Sequence, residues 1–461
     1  MKNIFITITF FFTFFYSIAQ TNCYTVVVGK NASENGKVII AHNEDDYGNL
    51  VVNIQKVPAQ NYPKNFHYKL INGDSVRFAK TSFSFLWFET TNQLFGDFYI
   101  NEYGVAICSN ACKSKEKDDI KSDKSNWLQI KELTLDFRRM IAMRAKTSRQ
   151  AVEIAARLID TLGYGSSGRT YIFADANEAW IMAVVRGKQY VAIRLPDDCL
   201  AIIPNYYTIR EVDTTDKQNV IYSKNLFSYA ASKGWYNPQE ETFVFRNVYA
   251  DPQNLTSINN IPRHWAGLSI LHKNYAIFDQ FPFYFKPDKK IGFEVIKKVL
   301  SNHYENTEYE LKKLKGTNIH QSMAHPICNY GTVYSVIVDY RNENKNNIVW
   351  FSFRNPCINP YLPIVFDINQ LPENYSNTTY THWHLTHFAQ QYNLPDKNPK
   401  LAFTLTSNYT KNIEKDLGLY FENAVKEKTK FEKKTNNQII KSPIAKTSEK
   451  ILKKYYKNLK K

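Results

Sequence analysis

The chain has 461 residues, 43% of them hydrophobic and 22% charged, and 59 Lys and Arg against 43 Asp and Glu give a formal charge of +16. With 31 Tyr and 30 Phe but only 16 Gly and 17 Pro, this composition excludes a disordered or collagenous chain. No long uncharged apolar run follows the extreme N-terminus, which excludes a polytopic membrane protein, and the length suits about three domains or one large layered unit.

Met1-Lys2-Asn3 is positively charged, residues 4–16 are apolar but too few to span about 30 Å of hydrocarbon, and Ser17 and Ala19 are small. This pattern predicts a signal peptide over residues 1–19, a short propeptide over 20–22, and export to the periplasm or the extracellular space. The six cysteines, Cys23, Cys108, Cys112, Cys199, Cys328 and Cys357, are too sparse for a disulfide scaffold and have no zinc-finger spacing.

Residues 24–29 and 37–41 are β-rich runs around a turn cluster, which predicts a hairpin. Residues 83–88 and 97–107 continue the sheet, the latter with a turn at Asn101-Glu102-Tyr103-Gly104. Leu128, Ile130, Leu133, Leu135, Met140 and Ile141 predict a helix over 128–145, and Ser148 is the expected cap of a second helix reaching Leu162. Strands are expected again at 171–174, 179–185, 190–194 and 200–204, a helix at 293–300, and a hairpin of 333–340 with 348–353 around a polar insert. Strands, then helices, then strands imply an α+β fold with antiparallel sheets and helices on their outer faces.

From Lys411 onward fifteen Lys face six acids, more than half of the total charge excess. Ile413, Leu417, Phe421 and Val425 lie at helical spacing, as do Ile451, Leu452, Tyr455, Tyr456 and Leu459, so residues 401–461 read as a helical extension with solvated Lys faces. Its basic side chains are all lysines, which argues against nucleic acid as a partner; attachment to an anionic surface stays open.

Cys23 opens a strand just past the expected cleavage site. As residue one of a mature chain, its thiol would be a nucleophile and its own α-amine, with a pKa near ~7.7–8.0, could take the thiol proton. A buried or disulfide-bonded cysteine is the alternative; lipidation is disfavoured because Gln20-Thr21-Asn22 lacks the apolar and small residues expected before a lipidated Cys.

Six blocks in order then resemble the dipeptidase A family of N-terminal-nucleophile cysteine peptidases, relatives of the bile-salt hydrolases and penicillin acylases. They are residues 23–46, with Cys23-Tyr24-Thr25-Val26-Val27-Val28-Gly29 and His42-Asn43-Glu44-Asp45-Asp46; Asn101-Glu102-Tyr103-Gly104-Val105-Ala106-Ile107; residues 163–168 with Ala174-Asp175-Ala176-Asn177-Glu178-Ala179-Trp180; Asn205-Tyr206-Tyr207; Arg263-His264-Trp265; and Asn355-Pro356-Cys357. The resemblance implies a four-layer αββα sandwich over residues 23–400 and a cysteine hydrolase that cuts short peptides, usually dipeptides, through an acyl-enzyme on Cys23. By the same comparison Asp45 orients the α-amine and thiol, Asn205 completes an oxyanion hole, and Arg263 is a basic residue near the nucleophile. A second oxyanion donor, a backbone N–H, falls near Asn110, and His42 stands where relatives often carry arginine, so both are candidates for oxyanion or substrate positioning. Short peptides are the implied partners, and a homo-oligomer stays open.

No phosphate loop or dinucleotide fingerprint is present, so no cofactor is expected. No metal is expected either: His382, His384 and His387 are spaced by two and three, not the i, i+4 of helical zinc sites. Ser166 and Ser167 miss the G-x-S-x-G spacing, and a helix-to-strand turn accounts for Gly163, Gly165 and Gly168. Beside the dipeptidase stand two alternatives, an acyl-amide hydrolase of the bile-salt or penicillin type and a non-catalytic secreted protein that binds surfaces through its basic end.

Overall fold

The computed structural model describes residues 23–371 apart from 47–49, 51, 72, 91–95, 117–132, 134, 273–274, 278–279, 311–319, 321–324, 343, 345–346, 358, 360 and 367–370. The expected signal peptide and propeptide, the start of the helix expected at 128–145, the His382–His387 cluster and the 401–461 extension lie outside the described residues.

The first half of the chain runs β1 (Tyr24–Val28), β2 (Ile39–Asp45), β3 (Val52–Val57), β4 (Gln60–Asn61), β5 (His67–Lys69), β6 (Ser75–Arg77), β7 (Thr81–Ser82), β8 (Phe85–Thr90), β9 (Tyr99–Asn101), β10 (Ala106–Ala111), α1 (Phe137–Ala142) and α2 (Ser148–Leu162). There follow β11 (Tyr164–Ala174), β12 (Ala179–Gly187), β13 (Tyr190–Arg194), β14 (Leu200–Ile203), β15 (Val220–Tyr222), α3 (Leu226–Ser232), α4 (Phe245–Tyr249), α5 (Pro252–Leu255), α6 (Ile261–Leu271), α7 (Phe293–Leu300), β16 (Thr332–Asp339), β17 (Ile348–Phe353) and β18 (Leu362–Val365).

Among the described residues two large sheets form, one of six strands in the order β14-β1-β2-β16-β17-β18 and one of eight in the order β15-β13-β12-β11-β10-β9-β8-β3. Every pairing in them is antiparallel. The β1–β2 hairpin forms as expected, with Val26 opposite Ala41.

Strand alternation sorts the core. Val27, Ile40, Ala201, Val336 and Val338 of the six-stranded sheet share a cluster with Leu86, Ile100, Ala106, Ile172 and Ile181 of the eight-stranded one. The opposite faces pack on helices: Ile107, Phe173 and Trp180 against α1 and α2, and Tyr24, Val26, Ile39 and Ala41 against α6 and α7. Gly267 lets α6 approach β1, because a Cβ there would overlap the Tyr24 hydroxyl.

Three local expectations change. Among the described residues of the helix expected at 128–145, Phe137–Ala142 are helical, while Leu133 bridges Tyr164 in β form. The second helix is capped by Thr147, whose hydroxyl accepts the Gln150 N–H at 3.1 Å, while Ser148 is the first helical residue and donates to Asp175 at 2.9 Å. Of the three glycines assigned to a turn, only Gly163 ends the helix, at φ 76°; Gly165 and Gly168 lie in β11, where a Cβ at Gly168 would overlap the Tyr207 hydroxyl.

Candidate active site

The alternation that buries Tyr24 and Val26 against α6 turns Cys23 and Thr25 toward the second sheet. Likewise β2 turns His42 and Glu44 inward with Ile40, and Asn43 and Asp45 toward the helices with Ile39 and Ala41. Cys23 is buried, 1% exposed, with its Sγ 3.5 Å from Glu44 Oε2 and 3.8 Å from the Asp45 carbonyl oxygen. Burial, reinforced by the Glu44 carboxylate, raises the thiol well above its ordinary value, so in the intact chain it is protonated.

On the helix side Arg263, in the first turn of α6, is fully buried and joins three of the expected residues. Its guanidinium donates to the Cys23 carbonyl oxygen at 3.2 Å and to Asn205 Oδ1 at 2.9 Å, and it stands 4.0 Å from Asp45 Oδ2. Holding the amide oxygen of Asn205 fixes which way that amide points: its Nδ2 donates to the Ala111 carbonyl at 3.0 Å, and an NH₂ group has a second hydrogen to give. Asn260 clamps the Asn205 backbone, accepting its N–H at 3.3 Å and donating to its carbonyl at 3.1 Å.

Asp45 Oδ2 accepts the Asn329 side-chain amide at 2.6 Å, whereas Oδ1 is buried with no hydrogen-bond partner among the described residues. Burial pushes this carboxyl up to about 7, against the pull of Arg263. The sign for stability follows. The folded intact chain holds the Asp45 proton more tightly than the unfolded chain does, so this group destabilises the fold increasingly as pH rises from about 4 to above 7. In a chain still carrying the residues before Cys23, Asp45→Asn should therefore melt several degrees above wild type at pH 8 and level with it near pH 4. The upper bound is about 4 kcal/mol for a rise of that size. Melting curves across that range check it, and a lower melting temperature for Asp45→Asn at pH 8 would contradict it.

Between the sheets runs a buried polar chain. Asn110 Oδ1 accepts the Thr25 hydroxyl at 2.6 Å, Thr25 Oγ1 meets His42 Nδ1 at 2.8 Å, His42 Nε2 meets Glu44 Oε2 at 3.0 Å, and Glu44 reaches the Cys23 sulfur. Both ring nitrogens of His42 are thus occupied, and its link to the thiol passes through Glu44. The Asn110 amide also donates to the Ile203 carbonyl at 2.9 Å, so its side chain ties the two sheets together. Asp97 lies beyond; burial would raise its carboxyl, but Arg138 and Arg169, each with a nitrogen 3.1 Å away, hold it at about 2. Burial and the Asp97 charge raise Glu44 well above the usual carboxylate range.

The structure therefore brings Cys23, Asp45, Asn205 and Arg263 into one linked group; His42 reaches the thiol through Glu44, and Asn110 only further along the same chain, through Thr25 and His42. Glu44 and Asn329 also belong to this group, although the sequence does not single either out as a site residue. Strand alternation from His42 could have found Glu44, whereas Asn329 carries no local signal. Two cavities, of about 350 Å³ beside Val76, Arg144 and Leu158 and about 730 Å³ beside Arg210 and Tyr284, include none of these residues. No helix among the described residues is long and apolar enough to cross a membrane.

Comparison with known proteins gives the family of the chain. The chain is 24% identical over 372 residues to a probable dipeptidase of Latilactobacillus sakei, covering 78% of this chain and 77% of that one. It is 25% identical over 355 residues to a probable dipeptidase of Salmonella dublin, covering 74% and 80%. Among solved structures, penicillin V acylase from Agrobacterium tumefaciens aligns over 77% of this chain and 89% of its own with a TM-score of 0.36 and 14% identity. The sequence model of peptidase family C69 matches residues 22–393. With most of its length matched, the chain belongs to peptidase family C69.

Proposed function

We propose that this peptidase is a cysteine-type dipeptidase, exported by its N-terminal signal and activated when the residues before Cys23 are removed. The observation that carries the proposal is the Arg263 guanidinium, which holds the Cys23 carbonyl and the Asn205 amide oxygen at once. Removal of residues 1–22 frees an α-amine beside Asp45, whose unpartnered Oδ1 is a buried acceptor that an ammonium group would satisfy. The fold is read as the four-layer αββα sandwich, in keeping with one core cluster between the two sheets and one beneath each pair of helices.

In the reaction, Cys23 Sγ attacks the scissile carbonyl carbon while its proton passes to the α-amine. The oxyanion takes the free hydrogen of Asn205 Nδ2. It also takes the N–H of Ala111: the Cys112 N–H bonds to Gly168, so by antiparallel alternation Ala111 turns its N–H away from β11, on the side where its carbonyl meets Asn205. Collapse expels the amine of the leaving amino acid, which takes the proton back, and water then hydrolyses the thioester.

The test is turnover of unprotected dipeptides and of N-acyl amides by protein beginning at Cys23, with Asn205→Ala alongside. Dipeptides should be cleaved, and Asn205→Ala should lower kcat by roughly 100-fold or more with little change in KM, because the donor acts mostly in the transition state. Turnover of N-acyl amides alone would replace the dipeptidase reading with the acyl-amide one, and an Asn205→Ala variant at full rate would remove Asn205 from the oxyanion hole.

A further inference from the structure

Behind the Asp45 side of the site, four metal-ligating side chains from separate parts of the chain converge. His303 follows α7, His320 and Cys328 precede β16, and Cys357 follows β17. All four are buried, and one ligating atom from each lies within 4.8 Å of the others. His320 Nε2 is 3.1 Å from Cys357 Sγ, and Cys328 Sγ is 3.5 Å from the same sulfur. A tetrahedral zinc ion with bonds of about 2.3 Å to sulfur and about 2.05 Å to nitrogen needs ligand atoms roughly 3.3–3.8 Å apart, so the cluster is already near that size.

The surroundings are those of a metal site. Glu305 Oε1 engages His303 Nδ1 at 3.0 Å, the carboxylate contact that orients a ligating imidazole, and Glu305 Oε2 accepts the His303 backbone N–H at 2.6 Å. That leaves His303 Nε2, on a side chain 1% exposed, buried on the side of the Cys328 sulfur, the group it interacts with. The Asn355 amide donates to Cys328 Sγ at 3.5 Å, a contact that suits a thiolate. Two thiolates would neutralise a divalent ion, and two neutral imidazoles would complete its shell. We infer that His303, His320, Cys328 and Cys357 form a closed, structural Cys₂His₂ zinc site.

Its place in the fold gives it a task. The residue after Cys328 is Asn329, which holds Asp45, and Asn355, two residues before Cys357, donates to the Asn329 carbonyl at 2.6 Å. The ion would thus pin the loop that orients Asp45. This consequence rests on the proposed role of Asp45, whereas the metal content does not.

The experiment measures metal by mass spectrometry on full chain purified without chelators, for wild type, Cys328→Ser/Cys357→Ser and Cys23→Ala, together with the cobalt spectrum of wild type and Cys23→Ala. Expected are about one zinc per chain in wild type and Cys23→Ala, at least a tenfold loss in the double variant, and a thiolate-to-cobalt charge-transfer band in both cobalt-loaded proteins. The cobalt band keeps the test decisive should the double variant fail to fold. Metal-free wild type whose mass is lowered by two hydrogens, as a Cys328–Cys357 disulfide requires, would overturn the inference. So would zinc that survives in the double variant and disappears in Cys23→Ala, which would assign the ion to Cys23, His42 and Glu44.

Discussion

Cys23→Ala should abolish peptide hydrolysis, lowering turnover by about 10⁴-fold or more, while the protein stays folded. The fold should tolerate the change because the sulfur's hydrogen-bond contacts among the described residues are long ones, at 3.5 and 3.8 Å, so Ala leaves no strong hydrogen bond broken. Cys23→Ser should leave at most a trace of activity, since an alcohol is far less acidic than a thiol. Thiol alkylation gives a second reading of the same chemistry. In the unprocessed chain the buried, protonated thiol should react slowly, and in protein beginning at Cys23 it should be labelled before the five other cysteines. Initial rates and peptide mapping check both, and a Cys23→Ala protein that turns over substrate at the wild-type rate would end the proposed mechanism.

Blocking the α-amine should be as damaging as removing the sulfur. A chain beginning Met-Cys23 with the Met retained should fold, leave Asp45 Oδ1 without its donor and hydrolyse nothing, and removal of that Met should restore activity. In the processed enzyme the rate should rise with pH as the amine, with an ordinary pKa near ~7.7–8.0, loses its proton. The comparison needs two pH–rate series on purified proteins of defined N-terminus. Full activity in the blocked protein would shift the base to a side chain, and the geometry names Glu44, backed by His42, as the group in contact with the sulfur.

Much of this protein could be read from the sequence itself. The run Tyr24-Thr25-Val26-Val27-Val28 is β-branched and apolar, Asn35-Gly36 supplies a turn, and residues 37–41 are β-rich again, so the hairpin that carries Cys23 was legible from local pattern alone. The same held for the strands from 171 to 204 and the hairpin after 333, because each is a short run rich in β-branched, aromatic and apolar residues, buried on both faces along most of its length. The family was legible too, through ordered blocks that end with Asn355-Pro356-Cys357. What local pattern could not give was which polar residues meet. Arg263 touches Cys23 across 240 residues of chain, and Asn329 touches Asp45 across 284. Neither pair shares a period or a spacing, and each forms only because the six-stranded sheet sets β2 beside β16 and packs α6 on β1. For the same reason His303, His320, Cys328 and Cys357 have no recognisable motif in the sequence: burial periodicity is a local property, whereas a site assembled from distant loops depends on how whole layers dock, and that was decided by the tertiary structure.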